Sequence, residues 1–398
     1  MTGARYRWAV LGVCVVAFMQ THLHRMAFAP LIPTFVGDLD LSYAAAGTIQ
    51  TAYFWTYMAA QIPIGIVADR WGSRRVMLAC MVLLALGAVA FAASGTFLAS
   101  IGARMLVGLG AAAVWVPSMR LVTEWFPAAE RGRATGLLSA GGGVGGTLAL
   151  VLIPWAAALL GWRRAYLATL APALAALALI VLLLPDDRRG AGPIASPRGS
   201  LRRVLATRAL WPLNLSVLFA YGGYFSFVTF LPAFLVRGLG LTEAEAGATT
   251  SLITAGTIVS WPLAGLVSDR LGRRKPVYLF GQAASAAVCF VFALAVPGLG
   301  AAGAVAAAVA TGLLVGGMII PFAMIIEMFP AGLAGTAAGV TNASCFVGGM
   351  IFPIVLGWIA DTTGGFTASF LAAGALQAVA LGFACLTLET GSRARPSA

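Results

Sequence analysis

Residues 65–75 read GIVADRWGSRR, and residues 265–274 read GLVSDRLGRR, two hundred positions later. A charged, glycine-bearing loop that returns at a fixed distance means that the chain is written twice. Other stretches return at intervals of 200 to 203. LSYAAAG (41–47) returns as LTEAEAG (241–247), where Ser42 and Thr242 have the residue type of helix N-caps, and Thr242 and Glu245 the spacing of a capping box. EWFPAAERGRATG (124–136) returns as EMFPAGLAGTAAG (327–339), and Gly145 and Gly146 as Gly348 and Gly349. An offset of about half the chain, in one direction, implies two halves of like design.

The solvent of those halves follows from composition. Of 398 residues, 60% are hydrophobic and 10% charged, against roughly 25% charged in soluble domains, and the mean hydropathy is +0.94. Twelve stretches are long and apolar enough to cross a bilayer core of about 30 Å as helices: 8–35, 44–68, 76–94, 97–125, 134–160, 165–185, 209–236, 246–268, 276–298, 300–328, 335–360 and 366–388. Outer-membrane strands would be shorter and would alternate. The expectation is an all-α membrane protein of twelve transmembrane helices, in two pseudo-symmetric six-helix bundles around a central cavity. The bundles are 1–185 and 209–398, and the polar, proline- and glycine-rich 186–208 is a cytoplasmic linker. The first stretch, polar at its middle and followed by no small-residue cleavage site, is not a signal peptide.

Basic residues set the orientation. Arg5, Arg7, Arg70, Arg74, Arg75, Arg131, Arg133, the six arginines of 186–208, Arg270, Arg273, Arg274, Lys275, Arg393 and Arg395 all fall on one side; Arg163, Arg164 and Arg237 fall on the other. The positive-inside rule then puts both termini in the cytoplasm, with the chain multi-pass in a bacterial inner membrane. The net charge of +12 is topology, spread over short loops, and not a nucleic-acid face. The five cysteines lie in apolar stretches without metal-ligand spacing. No nucleophile motif or phosphate loop occurs, so neither an enzyme nor a cofactor or metal site is expected. A sensor would need a signalling domain, and a channel would not need two copies of a charged loop. The chain is expected to work as a monomer.

Both loop copies, with Arg104–Gly108–Gly110 as an RxxxGxG element in the fourth segment, give the chain its resemblance to the major facilitator superfamily, over the whole length. "QIPIGIVADRWGSRR", "EWFPAAERGRATG" and "GWRRAY" (161–166) resemble its bacterial organic-anion, monocarboxylate and nitrate-porter branches. The resemblance implies a secondary transporter working by alternating access, its cavity lined by the first, fourth, seventh and tenth helices. It also implies a gating role for Asp69, Arg70, Arg74 and Arg75, Asp69 latching onto the eleventh helix, and for Asp269, Arg270, Arg273 and Arg274 in the other half. Glu124, paired with Arg120 one turn earlier, and Glu327 read as structural or gating charges at the cytoplasmic ends of helices four and ten. The glycine runs of 136–146 and 339–349 read as contacts between halves. Helix five lacks the glycine–proline element of the superfamily's drug antiporters.

Three arginines remain inside the membrane: Arg25, Arg104 and Arg120. A charge there costs at least about 2.5–3.5 kcal/mol on insertion scales, so each needs a reason. Gln20, Thr21, His24 and Arg25 share one sector of a helical wheel, with His22 beside it. Arg104, Gly108, Ala111 and Trp115 form a stripe that would set a guanidinium above an indole. Tyr57, Tyr221, Tyr224 and Asn342 complete a candidate site for a small organic anion, because a guanidinium fork matches a carboxylate. The alternatives are that backbone carbonyls, or Glu124 and Glu327, satisfy the arginines, or that the solute is a drug-like or siderophore-like amphiphile carried outward. Membrane interiors 44–68 and 246–268 hold no arginine, unlike the nitrate porters. With no carboxylate at any helix centre, coupling falls to His24 or His22, or else to solute exchange without protons.

Overall fold

A computed structural model describes residues 3–184 and 200–391. Most of the 186–208 linker therefore lies outside the described residues; Ser200–Ala206 within it is a short helix. Among the described residues, every regular element is helical. We label the long ones α1 (Gly3–Met26), α2 (Tyr43–Trp71), α3 (Ser73–Ala93), α4 (Phe97–Ala112, resumed at Trp115–Trp125), α5 (Ala128–Leu160) and α6 (Trp162–Ala168, resumed at Leu170–Leu183). The second series is α7 (Leu210–Leu239), α8 (Glu243–Leu271), α9 (Lys275–Leu294), α10 (Val296–Leu314, resumed at Ile320–Met328), α11 (Ala331–Thr363) and α12 (Phe366–Leu386). Eleven described helices are long and apolar enough to cross a membrane, and α2, of 29 residues, has comparable length. Leu98, Leu182 and Leu294 stand exposed, as a lipid-facing surface allows.

The chain groups into two compact units: Met1–Leu41, Thr48–Pro193 and Glu243–Ser251 in the first, Ser42–Gly47, Ile194–Thr242 and Leu252–Ala398 in the second. In the first, α1 packs on α5 and α6, and α3 on α4 and α6. In the second, α7 packs on α11 and α12, and α9 on α10 and α12. This is the same pattern moved on by six helices, the spatial form of the sequence repeat. Ser42 caps α2 as expected, its hydroxyl accepting from the Ala45 amide at 3.1 Å. Asp361, not foreseen, accepts from the amides of Tyr43 at 2.7 Å and Ala44 at 2.8 Å.

Two prolines cut segments that hydropathy shows as single spans. Pro117 cannot donate to the carbonyl of Ala113, and α4 breaks between Ala112 and Trp115. Pro321 does the same to Gly317, where α10 tightens into a 3-10 turn over Val315–Ile319.

The glycine runs need correction. A Cβ on Gly145 would lie 2.1 Å from the carbonyl oxygen of Met19, and one on Gly348 2.1 Å from that of Leu218. Both approaches lie inside a unit, α5 against α1 and α11 against α7, so these glycines set packing within each half. Overpacking of this kind costs about 1–3 kcal/mol. Gly145→Ala is expected to lower the thermal midpoint in detergent, while Gly136→Ala, with open space at its Cβ, leaves it in place; equal midpoints would refute the close approach.

Candidate functional site

The polar cluster of the first unit is built at the end of α1. This helix stops at Met26 because Pro30 has no N–H for the Met26 carbonyl. The last carbonyls of any helix lack intrahelical donors, and here two of the residues that carry them, His24 and Arg25, are buried. Arg104 supplies one, donating from NH1 to the His24 carbonyl at 2.7 Å. Gln50 supplies the next, its Nε2 donating to the Arg25 carbonyl at 3.1 Å, while its Oε1 accepts from Arg104 NH2 at 3.0 Å. Tyr166 OH lies 3.4 Å from Arg104 NH1. Arg104 is 0% exposed. The intramembrane charge of α4 therefore caps a helix end, where the macrodipole also favours a cation.

A two-residue break before Pro117 separates the stretch of Arg104 from that of Trp115, and a Cβ on Gly108 would strike the Tyr53 carbonyl at 2.1 Å, so Gly108 faces α2. Trp115 is half-buried and packs on Phe18, ring centroids 4.9 Å apart.

Arg25 sits differently. Its guanidinium lies 5.7, 5.5 and 5.3 Å from the ring centroids of Tyr53, Phe54 and Tyr57, distances at which aromatic faces attract a cation. Arg104 lies 5.3 Å from that same Tyr53 ring, so one tyrosine serves both arginines. NH1 of Arg25 is 3.4 Å from His22 Nε2. Since arginine only donates, Nε2 accepts and the His22 proton sits on Nδ1, within 3.4 Å of the Phe18 carbonyl.

His24 faces away from this pair. It is 0% exposed; Nδ1 donates to the Gln20 carbonyl at 3.0 Å, and Nε2 is 3.1 Å from the Thr169 hydroxyl. The Gln20 side chain is equally buried, and neither end of its amide has a hydrogen-bond partner. In the second unit, the half-buried Tyr221 stacks on Phe225 at 6.0 Å and meets Phe346 edge-on at 6.3 Å. Tyr224 is half-buried beside it, and Asn342 is exposed on α11.

Sequence reasoning missed Gln50, Tyr166, Thr169 and Phe54. Only Gln50 left a signal: an amide in an apolar run, one turn before Tyr53 and Phe54.

At the loop between α2 and α3, the side chains of Asp69 and Arg70 lie outside the described residues. Arg74 NH2 donates to the Val181 carbonyl at 2.6 Å, capping α6; Arg75 is exposed. Arg120 pairs with Glu124 at 2.9 Å, as expected, and also donates to the Ala68 carbonyl at the end of α2 at 3.1 Å. In the second unit, Arg274 bridges Asp269 and Glu327, the latter at 2.7 Å. Arg270 is exposed. Arg273 pairs with Glu389, whose other oxygen accepts from the Arg274 and Lys275 amides at 2.7 and 3.0 Å and so caps α9. Glu389 had no sequence signal.

The family model described as Major Facilitator Superfamily matches residues 13–243 and 213–398. The chain belongs to that superfamily. Within it, the chain is 26% identical over 292 residues to a protein named "Probable sulfoacetate transporter" from Cupriavidus necator, covering 67% of this chain and 66% of that one. It is 28% identical over 262 residues to the galacturonate transporter of Dickeya chrysanthemi, covering 60% and 74%. A further 28% identity, over 329 residues and 80% of each chain, links it to a "Probable nitrate/nitrite transporter" of Mycobacterium tuberculosis. The matches thus span from about two thirds to four fifths of those proteins. Among solved structures, a bacterial homolog of the human lysosomal transporter Spinster has the same fold, with TM-score 0.82 over 96% of both chains at 18% identity.

Proposed function

We propose that this superfamily member is a secondary transporter of small organic anions, with a carboxylate solute engaged by Arg25. One observation carries the reading: a guanidinium within the membrane, seated among Tyr53, Phe54, Tyr57 and the neutral imidazole of His22, on segments that contain no aspartate or glutamate between Trp8 and Gly37 or between Ala44 and Ala68. A fork of N–H donors suits a carboxylate, and the rings suit the solute's carbon body. The names of its relatives, transporters of sulfoacetate, galacturonate and nitrate or nitrite, support an anionic solute. Arg104 takes the part of a positioning residue that holds the end of α1. Tyr57, Tyr221, Tyr224, Gln20, Trp115 and Asn342 remain candidate solute contacts. The two loop clusters and Glu124 take the gating part in alternating access. The distribution of basic residues supports a bacterial inner membrane with both termini cytoplasmic, and the transporter acts as a monomer.

Exchange in proteoliposomes tests this. Vesicles preloaded with unlabelled solute are challenged with labelled sulfoacetate, D-glucarate, galacturonate, nitrate or ethidium. Exchange of at least one organic anion, at ten times the rate of empty vesicles or more, and none of ethidium is expected. Exchange of ethidium alone, or of nitrate alone, overturns the proposal.

A further inference from the structure

We infer that His22 is the proton site of a proton–anion symport and that its coupling runs through Arg25. This rests on the anion reading of Arg25 given above.

The geometry that points to it is the contact between Arg25 NH1 and His22 Nε2, 3.4 Å apart. While Arg25 donates to Nε2, that lone pair is occupied and protonation there is disfavoured. A carboxylate that docks on Arg25 offers the guanidinium a better acceptor, because charge-assisted hydrogen bonds are roughly twice as strong as neutral ones. The N–H···N bond then breaks, the Nε2 lone pair is exposed, and a proton from the aqueous side adds to it. The imidazolium so formed, beside a guanidinium, is tolerated only while the carboxylate charge lies between them. On the far side the steps reverse: the anion leaves, Nε2 returns its proton to water, and Arg25 donates to Nε2 again. One proton travels with one carboxylate.

The surroundings of His22 fit a single charge partner. Its own helix brings Phe18, whose ring meets the imidazole edge-on at 4.4 Å, the Thr21 hydroxyl at 3.2 Å, and Arg25. From α5 comes Gly142, where a Cβ would stand 3.0 Å from the imidazole, and from α4 Trp115, through Phe18. Beyond Arg25 lie the phenols of Tyr53 and Tyr57 on α2. Arg25 is the one formal charge in this set. His24 has no such arrangement: its Nε2 faces the Thr169 hydroxyl and its other nitrogen the Gln20 carbonyl, with Arg104 fixed to its own backbone carbonyl.

The test reads an equilibrium, which a slower variant still reaches. For one proton per monovalent anion, transport is electroneutral, and its net driving force vanishes when the anion gradient matches the proton gradient. Wild-type proteoliposomes with the outside one pH unit more acid are expected to accumulate galacturonate about tenfold. His22→Gln, whose Oε1 can accept from Arg25 without titrating, is expected to equilibrate galacturonate without accumulation. As a second measurement, calorimetry of galacturonate binding to the detergent-solubilised wild type, in buffers of different ionisation enthalpy, should report uptake of about one proton per anion. His22→Gln and His22→Asn should report none. Tenfold accumulation by His22→Gln, or binding by the wild type without proton uptake, overturns the inference. Wild-type exchange of organic anions that never follows a pH gradient overturns it too while leaving the anion reading standing; no exchange of any organic anion removes both.

Discussion

Arg25→Ala is expected to lower organic-anion exchange by two orders of magnitude or more, while the protein remains as stable as the wild type. Hydrogen bonds to a charged group contribute about 1.5–3 kcal/mol each, and a carboxylate on a guanidinium fork makes two. Losing both costs about 3–6 kcal/mol, well beyond a hundredfold. Stability should not follow, because an arginine inside the membrane is itself unfavourable by about 2.5–3.5 kcal/mol on insertion scales. Its ring contacts with Tyr53, Phe54 and Tyr57 return only about 0.5–2 kcal/mol. Arg25→Lys keeps the charge but loses the fork, and should fall between wild type and alanine, with the loss mostly in apparent affinity. The measurements are the concentration dependence of exchange in proteoliposomes and the thermal midpoint in detergent. An Arg25→Ala protein that exchanges anions within threefold of wild type would leave the solute to be recognised elsewhere.

What the sequence could show divides along a physical line. Hydropathy and the two-hundred-residue repeat depend on each residue's own solubility, so the segments and the doubled architecture were readable. The helical wheel assumes an unbroken helix, and Pro117 breaks α4 between Arg104 and Trp115, so their spacing alone does not set a shared face. That proline was in view, and it outweighs a spacing argument. Glycine runs announce that some backbone comes close without saying whose. Here it is Met19 and Leu218, inside each unit. Arg104 was harder. Its acceptors include the backbone carbonyl of His24, which every residue type presents alike, so no pattern of side chains could reveal it. Arg25 and His22, by contrast, are three residues apart on one helix, the spacing at which side chains meet, although the wheel groups Arg25 with His24 and leaves His22 beside that sector.

Arg104→Ala is expected to be the most destabilising single change in the first unit. Three oxygens receive its hydrogens: the His24 carbonyl, Gln50 Oε1 and Tyr166 OH. Left unpaired in a buried interior, such groups cost about 1–3 kcal/mol each, and the emptied volume adds a cavity term. Against this stands relief of about 2.5–3.5 kcal/mol from removing the charge. The acceptors and the cavity win, for a net loss of about 3–5 kcal/mol, seen as a lower thermal midpoint. Arg104→Lys is expected to recover only part, since one ammonium on a flexible stem cannot match a planar fork set among fixed acceptors. Gln50→Ala should couple to it: both hold carbonyls of the same turn, so the double variant should lose less than the sum of the two. Function separates the two arginines. With the end of α1 released, Arg25 loses its fixed position, so Arg104→Ala should weaken anion binding together with stability, whereas Arg25→Ala weakens binding alone. An Arg104→Ala protein with the wild-type midpoint would mean that water or a rearranged Gln50 serves those carbonyls as well, and that the buried charge is kept for some other reason.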